Sequence, residues 1–91
     1  MSVKVSIPSP LRRFTAGQAH AQVEAQTLAA CLDALEQAYP GVKGRLCDGD
    51  GGLRRFVNLY VNGEDVRFLQ GLKTPLQSGD EVSIVPAIAG G

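Results

Sequence analysis

Thr27-Leu28-Ala29-Ala30-Cys31-Leu32-Asp33-Ala34-Leu35-Glu36-Gln37-Ala38-Tyr39-Pro40-Gly41 is the stretch on which the fold turns. Leu28, Cys31, Leu32, Leu35 and Tyr39 recur at helical spacing and form one apolar stripe, with Asp33, Glu36 and Gln37 on the other side. Thr27 is the expected N-cap, because its hydroxyl can accept a hydrogen bond from an orphan backbone N–H. Pro40-Gly41 stops the helix: proline disfavours the α conformation before it, and glycine can take the left-handed region. A single one-sided helix needs one apolar surface to cover, and the rest of the chain reads as strands.

Ser2 to Ile7 alternates polar residues with Val3, Val5 and Ile7, the period of a half-buried strand, and Pro8 and Pro10 end it. Leu11 to Gly17 reads as a connecting turn, and Ala19, Ala21 and Val23 begin a second alternating run, giving an N-terminal hairpin. Beyond the helix, Gly41 to Gly52 holds five glycines and reads as a flexible connection. Its Asp48 and Asp50 alternate as calcium ligands often do, yet the remaining carboxylates and the terminal Glu of a calcium loop are lacking.

Phe56 to Val61 is strongly β-forming, with Val57, Leu59 and Val61 on one face and Phe56, Asn58 and Tyr60 on the other. Asn62-Gly63 predicts a type I′ hairpin turn, which needs positive φ at both central positions. Glu64 to Phe68 is expected to return as a short strand. Thr74-Pro75-Leu76 suggests a brief helical turn, Ser78-Gly79-Asp80 a tight turn, and Glu81 to Val85 the last strand, closed by Pro86. The order is β-β-α-β-β-β. It predicts a two-layer α+β fold in which one helix covers one face of a mixed sheet, with first and last strands parallel and central. That is the β-grasp arrangement. The expected division is a body over residues 1–86 and a flexible tail over 87–91.

Composition narrows the function. Ninety-one residues, 44% hydrophobic and 20% charged, make one domain with a single core. Nine basic residues balance nine acidic ones, and Arg12-Arg13 and Arg54-Arg55 are isolated pairs, not the basic stripe that nucleic acid demands. The N-terminus lacks the apolar core of a signal peptide, and no stretch nears the roughly 18 apolar residues of a membrane span. A cytoplasmic protein, engaging neither nucleic acid nor membrane, is the expectation. Cys31 and Cys47, sixteen positions apart and with only His20 to help, do not suit a metal or a disulfide. Cys31 falls on the apolar stripe. Cys47 falls in a polar loop where it can be exposed, but no catalytic base is near it. His20, in a predicted strand without a nucleophile or carboxylate partner, reads as a solvent-facing or packed histidine. No catalytic residue and no metal site is expected.

The chain closes on Pro86-Ala87-Ile88-Ala89-Gly90-Gly91. Glycine lacks Cβ, so its backbone can enter a channel too narrow for other residues. Pro86 stiffens the exit, and from Val85 to Gly91 the chain reaches about 20 Å at roughly 3.3–3.6 Å per residue. This pattern suits a terminus that is itself a substrate.

With Val5-Ser6-Ile7-Pro8, Arg55 to Asn62, Glu64 to Phe68, and Val82 through Gly91, the whole chain resembles the ubiquitin-like sulfur carriers of the MoaD/ThiS family, most of all their CysO-type branch. The resemblance implies that an E1-like enzyme uses ATP-Mg²⁺ to adenylate Gly91, with no cofactor bound by the carrier itself. Sulfide then converts the end to a thiocarboxylate, and an acceptor enzyme takes the sulfur. In the CysO-type route that acceptor is a cysteine synthase, and a metallopeptidase frees the product from the carrier's end. Pro86, Ala87, Ile88, Ala89 and Gly90 would thread into partner sites. Phe56, Tyr60 and Phe68, with Arg54, Arg55 and Arg67, are the candidate partner surface. For Phe56 and Phe68 packing in the core is an equal alternative, and for any one of the arginines ordinary solvation is the favoured reading. Molybdopterin, thiazole, siderophore or tRNA thiolation are alternative destinations. A non-covalent β-grasp binding module and protein conjugation stand as rival readings. No residues follow Gly91, so no clipping is expected before activation.

Overall fold

The computed structural model describes residues 2–47 and 57–86. Five strands, β1 (Val3–Ser6), β2 (His20–Val23), β3 (Val57–Val61), β4 (Glu64–Asp65) and β5 (Glu81–Pro86), form one sheet in the order β2-β1-β5-β3-β4. β1 pairs antiparallel with β2 and parallel with β5, whereas β3 pairs antiparallel with both β5 and β4. The last strand is therefore the central one. This is the expected β-grasp arrangement, with α1 (Leu28–Ala38) as the covering layer.

The alternation seen in the sequence decides what is buried. Val3, Val5 and Ile7, Ala21 and Val23, Val57, Leu59 and Val61, and Val82 and Ile84 all join one core with Leu28, Cys31, Leu32 and Leu35 of the helix. The Thr27 hydroxyl accepts the Ala30 N–H at 3.2 Å, the expected cap. Asn62 and Gly63 have φ of 52° and 88°, as the turn type requires. Asn62 does more than turn: its side chain donates to Asp80 and accepts the Glu81 N–H, both at 3.0 Å, tying the hairpin to the start of β5.

Four local expectations need correction. The run from Leu11 to Gly17 is preceded and partly replaced by a 3-10 turn over Ser9–Phe14, started by Pro10, whose fixed φ suits a first helical turn. Within the glycine-rich connection, Val42–Leu46 is a short helix, α2, with Val42 and Leu46 buried. Their four-residue spacing puts both side chains on the core, a signal that the surrounding glycines hid. The return strand is only Glu64–Asp65. The Asp65 carboxylate accepts the Arg67 N–H at 2.8 Å and curls Val66–Phe68 into a 3-10 turn, burying Val66. The helical turn placed at Thr74-Pro75-Leu76 lies instead at Gly71–Lys73. Thr74 ends it, its hydroxyl donating to the Gly71 carbonyl at 2.6 Å, while Leu76 donates to the Gln26 carbonyl.

The corner between α1 and α2 is held by Glu36. Its carboxylate accepts the N–H of Gly41 at 3.0 Å and of Lys43 at 2.9 Å. Those two bonds hold its pKa below the ordinary glutamate range, with a smaller contribution from the Lys43 ammonium. A depressed carboxylate pKa stabilises the fold above the unfolded-state value, and that contribution is lost as the pH falls through the lower folded-state value. In Glu36→Gln the gap in melting temperature from the parent should therefore be widest near neutrality and close on acidification to about pH 3. A gap unchanged over a pH series of thermal melts would show that ionisation of Glu36 does not support the corner.

Candidate functional site

The site is built around the end of β5. Val82 and Ser83 lie between Val5 and Ser6 of β1 and Val61 and Tyr60 of β3, while Val85 and Pro86 continue opposite Asn58 and Val57. β5 is thus held on both sides at Val82 and Ser83 and by β3 alone at Val85 and Pro86, which fixes the place in the sheet where the strand ends. Because β1 runs parallel to β5, the Ser9–Phe14 turn that follows β1 lies at the same end of the sheet. Arg12 anchors there through Nε to the Ile7 carbonyl at 3.1 Å. On the β3 side, the Arg67 guanidinium donates to the Val57 carbonyl at 3.3 Å, opposite Pro86.

Phe68 is 85% exposed, which excludes it from the core and leaves it on the surface. Leu69 and Val85 are also large apolar side chains in contact with solvent, and Tyr60 is half-buried. Gly91, Gly90, Ala89, Ile88 and Ala87 lie outside the described residues, as do Phe56, Arg54, Arg55 and the Asp48–Gly52 run. Arg67 and Phe68 come together on the 3-10 turn beside the β3 edge.

A second group was not visible as a unit in the sequence. Arg13 and Arg45 sit over the ring of Phe14, with guanidinium carbons 4.9 and 5.0 Å from its centroid. Phe14 itself packs against the core, and Gly41, at φ +104°, passes close enough that a Cβ there would lie 3.5 Å from the ring. Arg13 and Arg45 are 32 positions apart, so only the turn of chain at α2 could have announced the cluster.

The two thiols are buried and the histidine is exposed. Cys31 is buried among apolar side chains, and loss of water raises its pKa to about 11, so it stays protonated near neutrality. Cys47 is buried too, contrary to the exposure its loop position allowed, because it follows Leu46 into the core. His20 is exposed on β2. Among the described residues no group of three or more His, Cys, Asp or Glu side chains could hold a metal, and no helix is long and apolar enough to cross a membrane.

Residues 5–91 match the ThiS family. The chain belongs to the ThiS family. It is 50% identical over the full length of both chains to the sulfur carrier protein CysO of Mycobacterium tuberculosis. It also superposes on the Amycolatopsis orientalis BexX/CysO complex with a TM-score of 0.92 at 43% identity, over 98% of this chain and 99% of that one. The crystal structure of M. tuberculosis CysO matches with a TM-score of 0.90 at 49% identity, over 94% of this chain and 99% of that one. This ThiS-family chain thus has the length and the fold of those carriers.

Proposed function

We propose that this protein is a sulfur carrier in cysteine biosynthesis, with residues 1–86 as an inert body and 87–91 as the reactive arm. The observation that carries the reading is the position of β5: the chain's last strand is pinned at the centre of the sheet and leads directly into the Gly90-Gly91 end. The full-length likeness to proteins named as sulfur carriers supports it.

A carboxylate resists attack by sulfur nucleophiles, so the end must first be activated. An E1-like enzyme binds ATP-Mg²⁺ and brings the Gly91 carboxylate to the α-phosphorus; a C–O–P bond forms and pyrophosphate leaves. Sulfide attacks the acyl carbon of that adenylate, AMP departs, and a thiocarboxylate remains. On the acceptor, a cysteine synthase, the thiocarboxylate sulfur bonds to the β-carbon of an activated serine as that carbon's leaving group departs. The Gly91 acyl group then shifts from sulfur to the amino nitrogen, and a metallopeptidase hydrolyses this amide with water, freeing cysteine and restoring the Gly91 carboxylate. The carrier supplies position: a fixed exit and an arm of about 20 Å turn each encounter into a delivered reactant. No side chain of the body acts on the reacting atoms. A sulfur donor that also builds docking contacts needs partners at its tail end, and the likeness to a chain solved in complex with BexX supports such contacts.

Intact-mass spectrometry of the protein purified from its own host, or incubated with its activating enzyme, ATP and sulfide, tests the reading. The expected result is a mass gain equal to exchange of one oxygen for one sulfur, removed by alkylation-sensitive transfer to the acceptor. An unchanged mass with active enzyme and ATP would return the chain to the class of non-covalent binding modules.

A further inference from the structure

We propose that the arginine-rich end of the sheet, centred on Arg13 and Arg45 over Phe14, is a docking surface for an acidic protein segment bordering the pocket that receives the tail. The destination of the tail rests on the sulfur-carrier reading; the surface itself rests on charge and geometry.

The chain is neutral overall, with nine charges of each sign, but the described charges are sorted along the sheet. All four described arginines lie at the end from which the tail leaves: Arg12 on the Ile7 carbonyl, Arg13 and Arg45 on Phe14, and Arg67 on the carbonyl of Val57, opposite Pro86. The carboxylates nearest them in the fold are already engaged. Asp33 pairs with Lys43, Glu36 accepts backbone N–H groups of Gly41 and Lys43, and Asp65, two residues before Arg67, accepts the Arg67 backbone N–H. Glu24, Glu64, Asp80 and Glu81 sit at the other end, after β2 and at the starts of β4 and β5, where Glu81 meets Lys4 at 3.8 Å. A field of this kind orients an approaching partner before contact, because a separated pair of charge clusters gives a neutral molecule a strong dipole.

Phe14 explains how two like charges are kept side by side. The negative face of an aromatic ring attracts guanidinium groups, and a guanidinium laid on a ring still presents N–H donors to carboxylates. With both cations over one centroid they lie within about 10 Å of each other, one Debye length at roughly 0.1 M salt, so their fields add. Both side chains are exposed, and among the described residues neither forms an ion pair. A protein acid is favoured over free phosphate because the arginines are solvent-facing and no nest of backbone N–H groups accompanies them. The surface also lies at the end of the sheet where β5 ends at Pro86.

The test is a ¹⁵N amide titration with octaglutamate as the probe. Saturating shifts are expected at Arg13, Phe14, Gly41 and Arg45, lost in Arg13→Gln/Arg45→Gln and weakened about tenfold between roughly 20 and 200 mM salt. Phe14→Leu, which keeps an apolar plug but removes the ring, should weaken binding while the far-end amides keep their native positions. Octalysine should give no shifts. Shifts centred elsewhere, binding that survives in the double variant, or inorganic phosphate producing the same shifts at the same concentration would each overturn the assignment. A second arm measures adenylation by the cognate activating enzyme: kcat/KM should fall about tenfold in the double variant with kcat retained, the signature of lost encounter steering. An unadenylated parent protein would refute the sulfur-carrier reading alone, while the octaglutamate titration still decides the docking surface.

Discussion

Removal of Gly91 should abolish sulfur loading completely while the protein keeps its fold. The shortened chain still ends in a glycine carboxylate, that of Gly90, so chemistry alone does not forbid activation. Reach does. Pro86 is held by its pairing with Val57 of β3, and each tail residue contributes about 3.3–3.6 Å of reach. One residue fewer leaves the carboxylate short of the α-phosphorus by that distance, whereas a misplacement of about 1 Å in a reacting group already costs on the order of a hundredfold in rate. The fold is indifferent to the change, since the last described sheet pairing is Val57 with Pro86 and Gly91 lies five positions beyond it. Stability should shift by no more than about 0.5 kcal/mol, as for other substitutions away from packed features. Intact mass after reaction with the activating enzyme, ATP and sulfide reads the first expectation, and a thermal melt reads the second. A thiolated product from the shortened protein would mean that the reactive group lies elsewhere.

The contrast between what was and was not legible follows from the range of each interaction. The helix was readable because its cap, its stripe and its Pro-Gly stop are all written within fifteen consecutive residues. Likewise Asn62-Gly63 demands positive φ locally, and both residues adopt it. The central, parallel placement of the first and last strands followed from having only one helix to cover one sheet. Short segments were harder. Glu64 to Phe68 has strand-like composition, but the Asp65 carboxylate caps the Arg67 N–H and turns the chain after two residues. Such side-chain to backbone bonds compete with sheet pairing over distances that periodicity does not register.

At the site, legibility divides along the same line. Pro86 through Gly91 is a linear motif and could be read directly. The exposure of Phe68 could not, because whether an aromatic faces core or water after a turn depends on which way the turn curls. Arg45 joins the neighbours Arg13 and Phe14 only by tertiary contact, across the hairpin, the helix and α2. Their sequence signal is faint: one aromatic beside a basic pair, and a lone arginine at the exposed position between Val42 and Leu46. Charge composition was misleading in its balance, since equal totals concealed a separation along the sheet.

Leu32→Ala should strongly destabilise the fold and leave the chemistry of the tail unchanged. Leu32 is 1% exposed, in the middle of the helix, and belongs to the core shared by every long strand. Truncation removes buried methyl groups and leaves a cavity that strands paired on both sides cannot collapse to fill, a cost of about 2–5 kcal/mol. Domains of this size are stable by only about 5–15 kcal/mol in total. At about 4–8 °C per kcal/mol for 60–100 residues, the melting temperature should drop by at least roughly 8 °C. Urea unfolding should show a lower midpoint with an unchanged slope, because the surface exposed on unfolding hardly changes. A loss below about 1 kcal/mol would place Leu32 at a site able to relax, against its burial. At a temperature where the variant is still folded, it should be thiolated as fully as the parent. Gly91 deletion and Leu32→Ala are thus expected to fail in opposite ways, one keeping the body and losing the reaction, the other keeping the reaction for as long as the body survives.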